Sequence, residues 1–174
     1  MLANDTIMEI RSVSAFLDYY ERIRGRTNSV IECIPDELYD WSPAPGKFSF
    51  ADLMRHLAGT ERYMFAENVR FRPSRYPGHG KELADGPDKV LEYFKRMHTD
   101  ALDLFRELND DDLEKKCMTP GGAKIAVWKW LRAMVEHEVH HRGQINLMLG
   151  INGVEAPQIF GLTSEEVRER SEPV

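Results

Sequence analysis

The chain has 174 residues, of which 42% are hydrophobic and 30% are charged, with a net charge of −6 at pH 7. This size and composition are typical of one globular domain with a hydrophobic core, so we expect a single domain over residues 1–174. The negative charge argues against nucleic acid or an anionic membrane as a partner, because either would repel the chain.

The compartment is predicted from what the sequence does not contain. No run approaches the ~18 apolar residues of a membrane span, and residues 1–5 carry an acid and no apolar core, unlike a signal peptide. Cys33 and Cys117 lie far apart without a Cys-x-x-Cys pattern, which favours reduced cysteines over a disulfide framework. We therefore expect a cytoplasmic protein.

Two amphipathic helical patterns occupy the first half of the chain. Apolar residues at three- and four-residue steps over about 8–34 predict a first helix, which Pro35 ends. Ser49 and Asp52 have the spacing of a capping box and predict the start of a second helix that reaches about residue 68.

The second half begins with a glycine- and proline-containing loop over residues 70–85, and a loop of this length is usually functional or partly disordered. A third helix is predicted from about Pro87 to Leu108, after a start signal at Asp85. A tight-turn signal at residues 120–122 predicts a small hairpin.

A fourth long helix is predicted over about 128–149, with Gly150 as its left-handed cap, and Thr163 can cap a short, charged C-terminal helix. Four long amphipathic helices without sustained strand alternation predict an all-α four-helix bundle.

Two histidines dominate the last long helix. His137 and His141 are four residues apart, so their imidazoles lie on one helix face and can reach one ion at about 2.0–2.1 Å. Two inward histidines need buried partners, and an ion satisfies both. A third ligand must come from elsewhere, and His56 is the best candidate because it borders the apolar face of the second helix.

The same stretch spells the zinc-peptidase motif His-Glu-x-x-His, in which Glu138 would be the general base. Glu165 or Glu166 would then supply a third ligand. The helical pattern before the motif and the lack of a predicted edge strand for substrate disfavour this alternative.

Other residues near the pattern leave their roles open. Asp52 is predicted to cap its helix rather than to orient His56, Gln144 to face the metal cavity or a neighbouring helix, and Trp130 to wall the pocket or to belong to the core. Arg142 is expected at the rim of a helix contact. The remaining histidines are predicted not to bind the ion. His79 is expected in solvent, His98 in a structural role, and His140 roughly 100° around the helix from His141.

Two segments carry a resemblance to a known family. Residues 49–58 resemble the helix-two motif of the DinB/YfiT-like metal-binding superfamily, and residues 137–145 resemble its helix-four motif, a histidine followed after three residues by His-Arg-Gly-Gln. The connector 41–43 also fits. The likeness extends from the first helix to Gly150.

This resemblance implies an up-down-down-up four-helix bundle, usually a homodimer, in which His56, His137 and His141 hold one divalent ion such as zinc or nickel. Characterised relatives are often thiol-dependent transferases or isomerases that use bacillithiol, mycothiol or glutathione. We therefore predict a metal-dependent enzyme that activates a low-molecular-weight thiol, or water, for attack on a small electrophilic substrate. The alternative is a non-catalytic, metal-stabilised dimeric bundle, which a closed four-ligand shell would favour.

Overall fold

The computed structural model describes residues 9–172 and contains four long helices, a hairpin and a short last helix. The helices are α1 (Val13–Ile31), α2 (Phe50–Thr60, continued through a π-helical turn Glu61–Phe65 to Ala66–Val69), α3 (Pro87–Arg106), α4 (Val127–Ile151) and α5 (Ser164–Arg170). Strands β1 (Lys116–Met118) and β2 (Lys124–Ala126) pair antiparallel, and 3-10 turns cover Asp36–Leu38 and Asp110–Glu114. The predicted all-α bundle with a hairpin before α4 is confirmed.

Two hydrophobic clusters fix the direction of each helix. One cluster contains the start of α1, the end of α2, the end of α3 and the start of α4. The other contains the end of α1, the starts of α2 and α3 and the end of α4. The helices therefore run up, down, down and up, with α1 parallel to α4 and α2 parallel to α3.

Parallel α2 and α3 require a connection that returns along the bundle, and residues 70–86 provide it. This crossover segment lies on α2, where the Arg75 N–H donates to the Tyr63 carbonyl at 2.8 Å. Gly59 permits the close approach, because a Cβ there would lie 3.1 Å from the Tyr76 ring. The long loop predicted from the sequence is thus packed over one helix.

The helix ends agree with the sequence in part. The capping box at Ser49 is confirmed, with Ser49 Oγ accepting from the Asp52 N–H at 3.1 Å. Gly150 was the wrong cap, because α4 continues through it to Ile151 and the left-handed residue is Gly153, at φ 71°. Residue 8, the predicted start of the first helix, lies outside the described residues, but the predicted bounds were too wide, because Ser12 caps α1 at Val13 and the helix ends at Ile31.

A network of mostly buried polar side chains lies near the middle of the helices. We call it the ionic layer, and it consists of Tyr20, Arg24, Thr27, Glu61, His98 and Glu138. Among the helices described, none combines the length and apolar character of a membrane span.

Candidate metal centre

The antiparallel packing of α2 against α4 brings the three predicted ligands together. The Nε2 atoms of His56 and His141 lie 3.0 Å and 3.1 Å from Nε2 of His137. One ligand atom from each histidine lies within 4.8 Å of the others, and no other group of His, Cys, Asp or Glu side chains within residues 9–172 meets this condition.

These separations fit one ion. Ligand bonds of about 2.0–2.1 Å in tetrahedral geometry place the ligand atoms about 3.3 Å apart, close to the observed distances. Without an ion, three ring nitrogens this close can be satisfied only by hydrogen bonds among themselves. A proton shared between two of the rings leaves the third nitrogen without a donor. The donor set is therefore suited to zinc, nickel or a similar divalent ion.

Two polar side chains orient the rings. Oε1 of Gln144 lies 2.6 Å from Nδ1 of His141, and because a carbonyl oxygen only accepts, Nδ1 carries the proton and Nε2 presents its lone pair to the centre. The hydroxyl of Tyr76 lies 2.7 Å from Nδ1 of His56. The role left open for Gln144 is thereby assigned, whereas Tyr76 was missed because it lies in a loop with no periodicity to place it.

Asp52 does not contact His56. Its carboxylate accepts from the Ser49 N–H at 3.0 Å and pairs with Arg55 at 2.7 Å, which is the capping role that the sequence favoured. Arg55 in turn donates to the His79 carbonyl at 2.7 Å and so ties α2 to the crossover segment.

The histidines are held in their neutral form. Burial, with repulsion from neighbouring imidazoles, lowers the pKa of His56 to about 4 and that of His137 to about 3. Burial also lowers the pKa of His141. At neutral pH all three rings are therefore uncharged and offer lone pairs, as metal ligation requires.

None of the other histidines joins the group of three. His140 is exposed on α4, although its ring centroid lies 4.9 Å from that of His141, and His98 contacts Glu61 at 2.7 Å in the ionic layer. His79 was expected in solvent but is half-buried, with its ring 4.3 Å from that of Phe48.

Glu138, the general base in the peptidase alternative, lies in the helix packing rather than at the centre. It is 2% exposed and points from α4 into α1, away from the histidines. Its two oxygens accept from the Tyr20 hydroxyl at 2.8 Å and the Thr27 hydroxyl at 2.7 Å, and Arg24 pairs with it at 3.0 Å. A carboxylate engaged in this way is not placed to act as a base at the centre.

The peptidase alternative loses its other parts as well. Glu166 accepts from the Thr163 N–H at 2.7 Å as part of the α5 cap, and neither it nor Glu165 joins the histidine group. The strands β1 and β2 have only three residues each. The structure therefore favours a three-histidine centre over a His-Glu-x-x-His peptidase.

Trp130 and Arg142 belong to the helix packing. Trp130 is half-buried against Phe65, with ring centroids 4.8 Å apart, and Phe65 lies 5.8 Å from the His137 ring. Arg142 was expected at a rim but is buried and donates to the Ile23 carbonyl at 3.4 Å.

A cavity of about 520 Å³ opens beside the centre, and we call it the apolar pocket. His141 and Gln144 contribute to its lining. The rest of the lining is mainly hydrophobic and includes Phe48, Leu53, Leu147, Met148 and Ile151. A small apolar molecule in this pocket would lie next to the ligand ring of His141.

Comparison with known proteins identifies a family and a relative of similar length. Residues 19–145 match the model of the DinB superfamily. The uncharacterised protein YjoA of Bacillus subtilis is 26% identical over 136 residues, which covers 76% of this chain and 83% of YjoA.

Solved structures with similar folds have low sequence identity. A DinB-like protein from Bacillus cereus superposes with a TM-score of 0.70 at 16% identity, covering 88% of this chain and 99% of that one. A mycothiol-dependent maleylpyruvate isomerase superposes with a TM-score of 0.61 at 13% identity, covering 83% of this chain and 65% of the isomerase. At these identities the likeness extends to the fold alone.

Proposed function

The chain belongs to the DinB superfamily, and from this premise we propose that it is a metal-dependent enzyme in which a low-molecular-weight thiol, or water, attacks a small electrophilic molecule. The observation that carries the proposal is the convergence of three imidazoles, one of which, that of His141, lines the apolar pocket. The DinB-like fold is also that of the mycothiol-dependent isomerase, which is consistent with thiol chemistry.

His56, His137 and His141 would hold the ion. Within residues 9–172 no fourth His, Cys, Asp or Glu joins them, and three protein ligands are typical of catalytic rather than structural zinc. A divalent ion bound there supplies the Lewis acidity that keeps a thiol or a water deprotonated near neutral pH.

The residues around the centre have separate tasks. Gln144 and Tyr76 fix two of the ligand rings, so that the lone pairs stay directed at one point. The apolar pocket would hold the apolar part of the electrophile and shield it from bulk solvent. In the thiol reaction the S–H proton passes to solvent, the S–C bond forms, and the leaving group departs with its bonding electrons.

Neither of the chain's two cysteines joins the histidine group. Cys117 is buried, and burial raises the pKa of its thiol to about 11, so it is protonated at neutral pH. Cys33 bonds the Ser29 carbonyl at 3.4 Å on α1. An external thiol or water is therefore the better attacking group.

The test is a screen of protein loaded with zinc or nickel. Glutathione, bacillithiol and mycothiol are each combined with 1-chloro-2,4-dinitrobenzene, and water is tested with p-nitrophenyl acetate. We expect metal-dependent turnover that falls at least about 100-fold in His141→Ala, because Lewis-acid stabilisation is worth several kcal/mol.

The matched control is His140→Ala, one position along the same helix and exposed. It should keep the wild-type rate. Equal rates with and without metal, or in wild type and His141→Ala, would contradict the proposal. Metal binding without turnover in any arm would favour the non-catalytic bundle.

The homodimer, the cytoplasmic location and the choice between zinc and nickel stay predictions. Sedimentation equilibrium tests the first. Metal competition under defined free-ion concentrations tests the last, since zinc and nickel lie close together in the Irving–Williams order.

A further inference from the structure

A second cavity, of about 670 Å³, lies between the crossover segment and the hairpin. We call it the cationic cleft, because Arg72, Arg75, Lys116 and Lys124 line it. None of the described residues that line it is acidic, and none of the three histidines of the metal centre lines it. The cleft is therefore a site separate from that centre, and its volume is that of a pocket for a small organic ligand.

The positive charge of the cleft is only partly neutralised. The buried carboxylate of Glu67 pairs with Arg75 at 2.9 Å, and Arg72 lies 3.8 Å from it. Lys116 and Lys124 form no ion pair with any residue in the described range 9–172. In a chain with a net charge of −6, this local excess of positive charge is suited to a ligand that carries more than one negative charge.

The hairpin presents its two lysines together. In the register of β1 and β2, Met118 is opposite Lys124, and Lys116 lies two residues before Met118, so these three side chains share one face. All three are exposed and line the cleft. Two cations at diagonal positions on one face repel each other, and an anion bound between them would remove that repulsion.

An aromatic side chain stands at the cleft under backbone strain. Phe71 follows α2 with φ 59°, a conformation that favours glycine, and within the described chain no other non-glycine residue has positive φ. Phe71 is nevertheless 49% exposed and lines the cleft, as does Met118, which is 48% exposed. Strain of this kind is concentrated at ligand sites. An exposed ring beside several cations is suited to stacking on a flat ring that is attached to the anion.

Buried polar atoms without a hydrogen-bond partner are concentrated at the end of α2. Within residues 9–172 there are nine such side-chain atoms, and four of them belong to residues between 62 and 70: Arg62 Nε, Glu67 Oε2, Asn68 Oδ1 and Arg70 Nε. Asn68 lines the cleft and donates through Nδ2 to the Arg72 carbonyl at 3.1 Å, so its Oδ1 is left as an acceptor. A buried acceptor without a partner is suited to an N–H from a bound molecule.

We propose that the cationic cleft binds a nucleoside diphosphate. The phosphates lie against Lys116, Lys124 and Arg72, the base stacks on Phe71, and an N–H of the base donates to Asn68. A nucleotide combines the three features that the cleft asks for, since it carries several negative charges, a flat ring and N–H donors on that ring.

This site is independent of the proposed function. Tyr76 lines the cleft, but its hydroxyl lies at Nδ1 of His56, whereas the ligand atoms of the metal centre converge through Nε2. Binding to the cleft should therefore need no ion, and it can be measured without turnover.

The test is calorimetric titration of zinc-loaded and of chelator-treated protein. ADP, GDP, CDP and UDP are the probes, and pyrophosphate and the four nucleosides supply the two parts of each nucleotide separately. We expect at least one nucleotide to bind saturably to both forms of the protein. Its nucleoside and pyrophosphate should each bind at least about 10-fold more weakly, because stacking of the base and hydrogen bonds to the phosphates each contribute that much.

Two variants test the two parts of the site. Lys116→Gln/Lys124→Gln should bind the nucleotide and pyrophosphate about 10- to 100-fold more weakly, because two hydrogen bonds to the phosphates lose their charge. Phe71→Gly should weaken nucleotide binding about 10-fold and leave pyrophosphate binding unchanged. Its unfolding midpoint in urea should be no lower than that of wild type, because glycine relieves the strain. That combination separates a binding role from a structural one.

Lys89→Gln/Lys95→Gln is the matched control, with the same charge change at exposed positions on α3 outside the cleft. It should bind the nucleotide like wild type. Raised salt should weaken binding to wild type, since the contacts to the phosphates are ionic.

Four outcomes would overturn the proposal. In the first, no nucleotide binds wild type saturably. In the second, Lys116→Gln/Lys124→Gln binds as tightly as wild type. In the third, pyrophosphate binds as tightly as any nucleotide and Phe71→Gly has no effect, which would make the cleft a site for simple anions only. In the fourth, binding occurs only with zinc, which would place the nucleotide at the metal centre. Failure of the thiol and water reactions would leave all four readouts unaffected.

Discussion

Replacing Glu138 by glutamine should destabilise the fold without loss of metal binding. Its carboxylate is buried in the ionic layer, where Arg24 pairs with it at 3.0 Å and the hydroxyls of Tyr20 and Thr27 donate to it. Glutamine keeps the shape and one acceptor oxygen, but its amide nitrogen meets a hydroxyl or the guanidinium and the charge is gone.

The magnitude follows from the partners that remain. Breaking a buried ion pair costs about 3–5 kcal/mol when one charge is left alone. Arg24 also pairs with Glu61, so the guanidinium keeps one carboxylate. We therefore expect the free energy of unfolding to fall by about 2–3 kcal/mol, between the cost of one unsatisfied buried group and that of an isolated charge.

The assay is urea unfolding of zinc-loaded and chelator-treated protein, followed by circular dichroism. The midpoint should fall in Glu138→Gln while the slope with urea stays that of wild type, and the zinc content of the folded protein should stay unchanged. Glu136→Gln is the control, since Glu136 is exposed and its only described ion pair, with Arg132 at 3.3 Å, lies at the surface. A Glu138→Gln protein of wild-type stability that had lost zinc or activity would refute this reasoning and revive the peptidase alternative.

Three further predictions follow from the centre and from one helix end. Gln144→Leu should weaken zinc binding by about 10- to 100-fold, measured by chelator competition, because it frees the His141 ring; an unchanged affinity would remove that role. In the metal-free protein, the imidazoles of the unfolded chain take up protons below their ordinary pKa of 6.5, whereas in the folded protein the pKa of His56 is about 4 and that of His137 about 3. The unfolded state therefore binds more protons, and the free energy of unfolding should fall as pH drops from 6.5 towards 4. A urea midpoint that stays level between about pH 7.5 and 5 would contradict this. Gly153→Ala should cost about 1 kcal/mol in urea unfolding, because φ is 71° there although space is open; an unchanged midpoint would argue against the left-handed cap.

Local chemistry made most of the fold predictable. Ser49 and Asp52 marked the start of α2 because a capping box is written in four consecutive residues. Helical spacing placed His137 and His141 on one face, and the border position of His56 on the second helix sufficed to select the third histidine of the group.

What could not be predicted depends on contacts between distant segments. Tyr76 lies in the crossover segment, and only the packing of that segment on α2 brings its hydroxyl to His56. Glu138 lies next to a ligand in the sequence, but the roughly 100° turn per residue points it at α1, where Arg24 neutralises it. The hydrophobic periodicity of α1 does not predict that the charged side chain of Arg24 is buried.

The direct test of the three-histidine centre is zinc binding by the chelator-treated protein, measured by isothermal titration and by elemental analysis. Wild type and His140→Ala should bind one ion per chain with the same affinity. His56→Ala should lose at least about 100-fold in affinity, because removing one of three ligands leaves only the pair on α4. If His56→Ala bound zinc with the stoichiometry and affinity of wild type, the proposed centre between α2 and α4 would be contradicted.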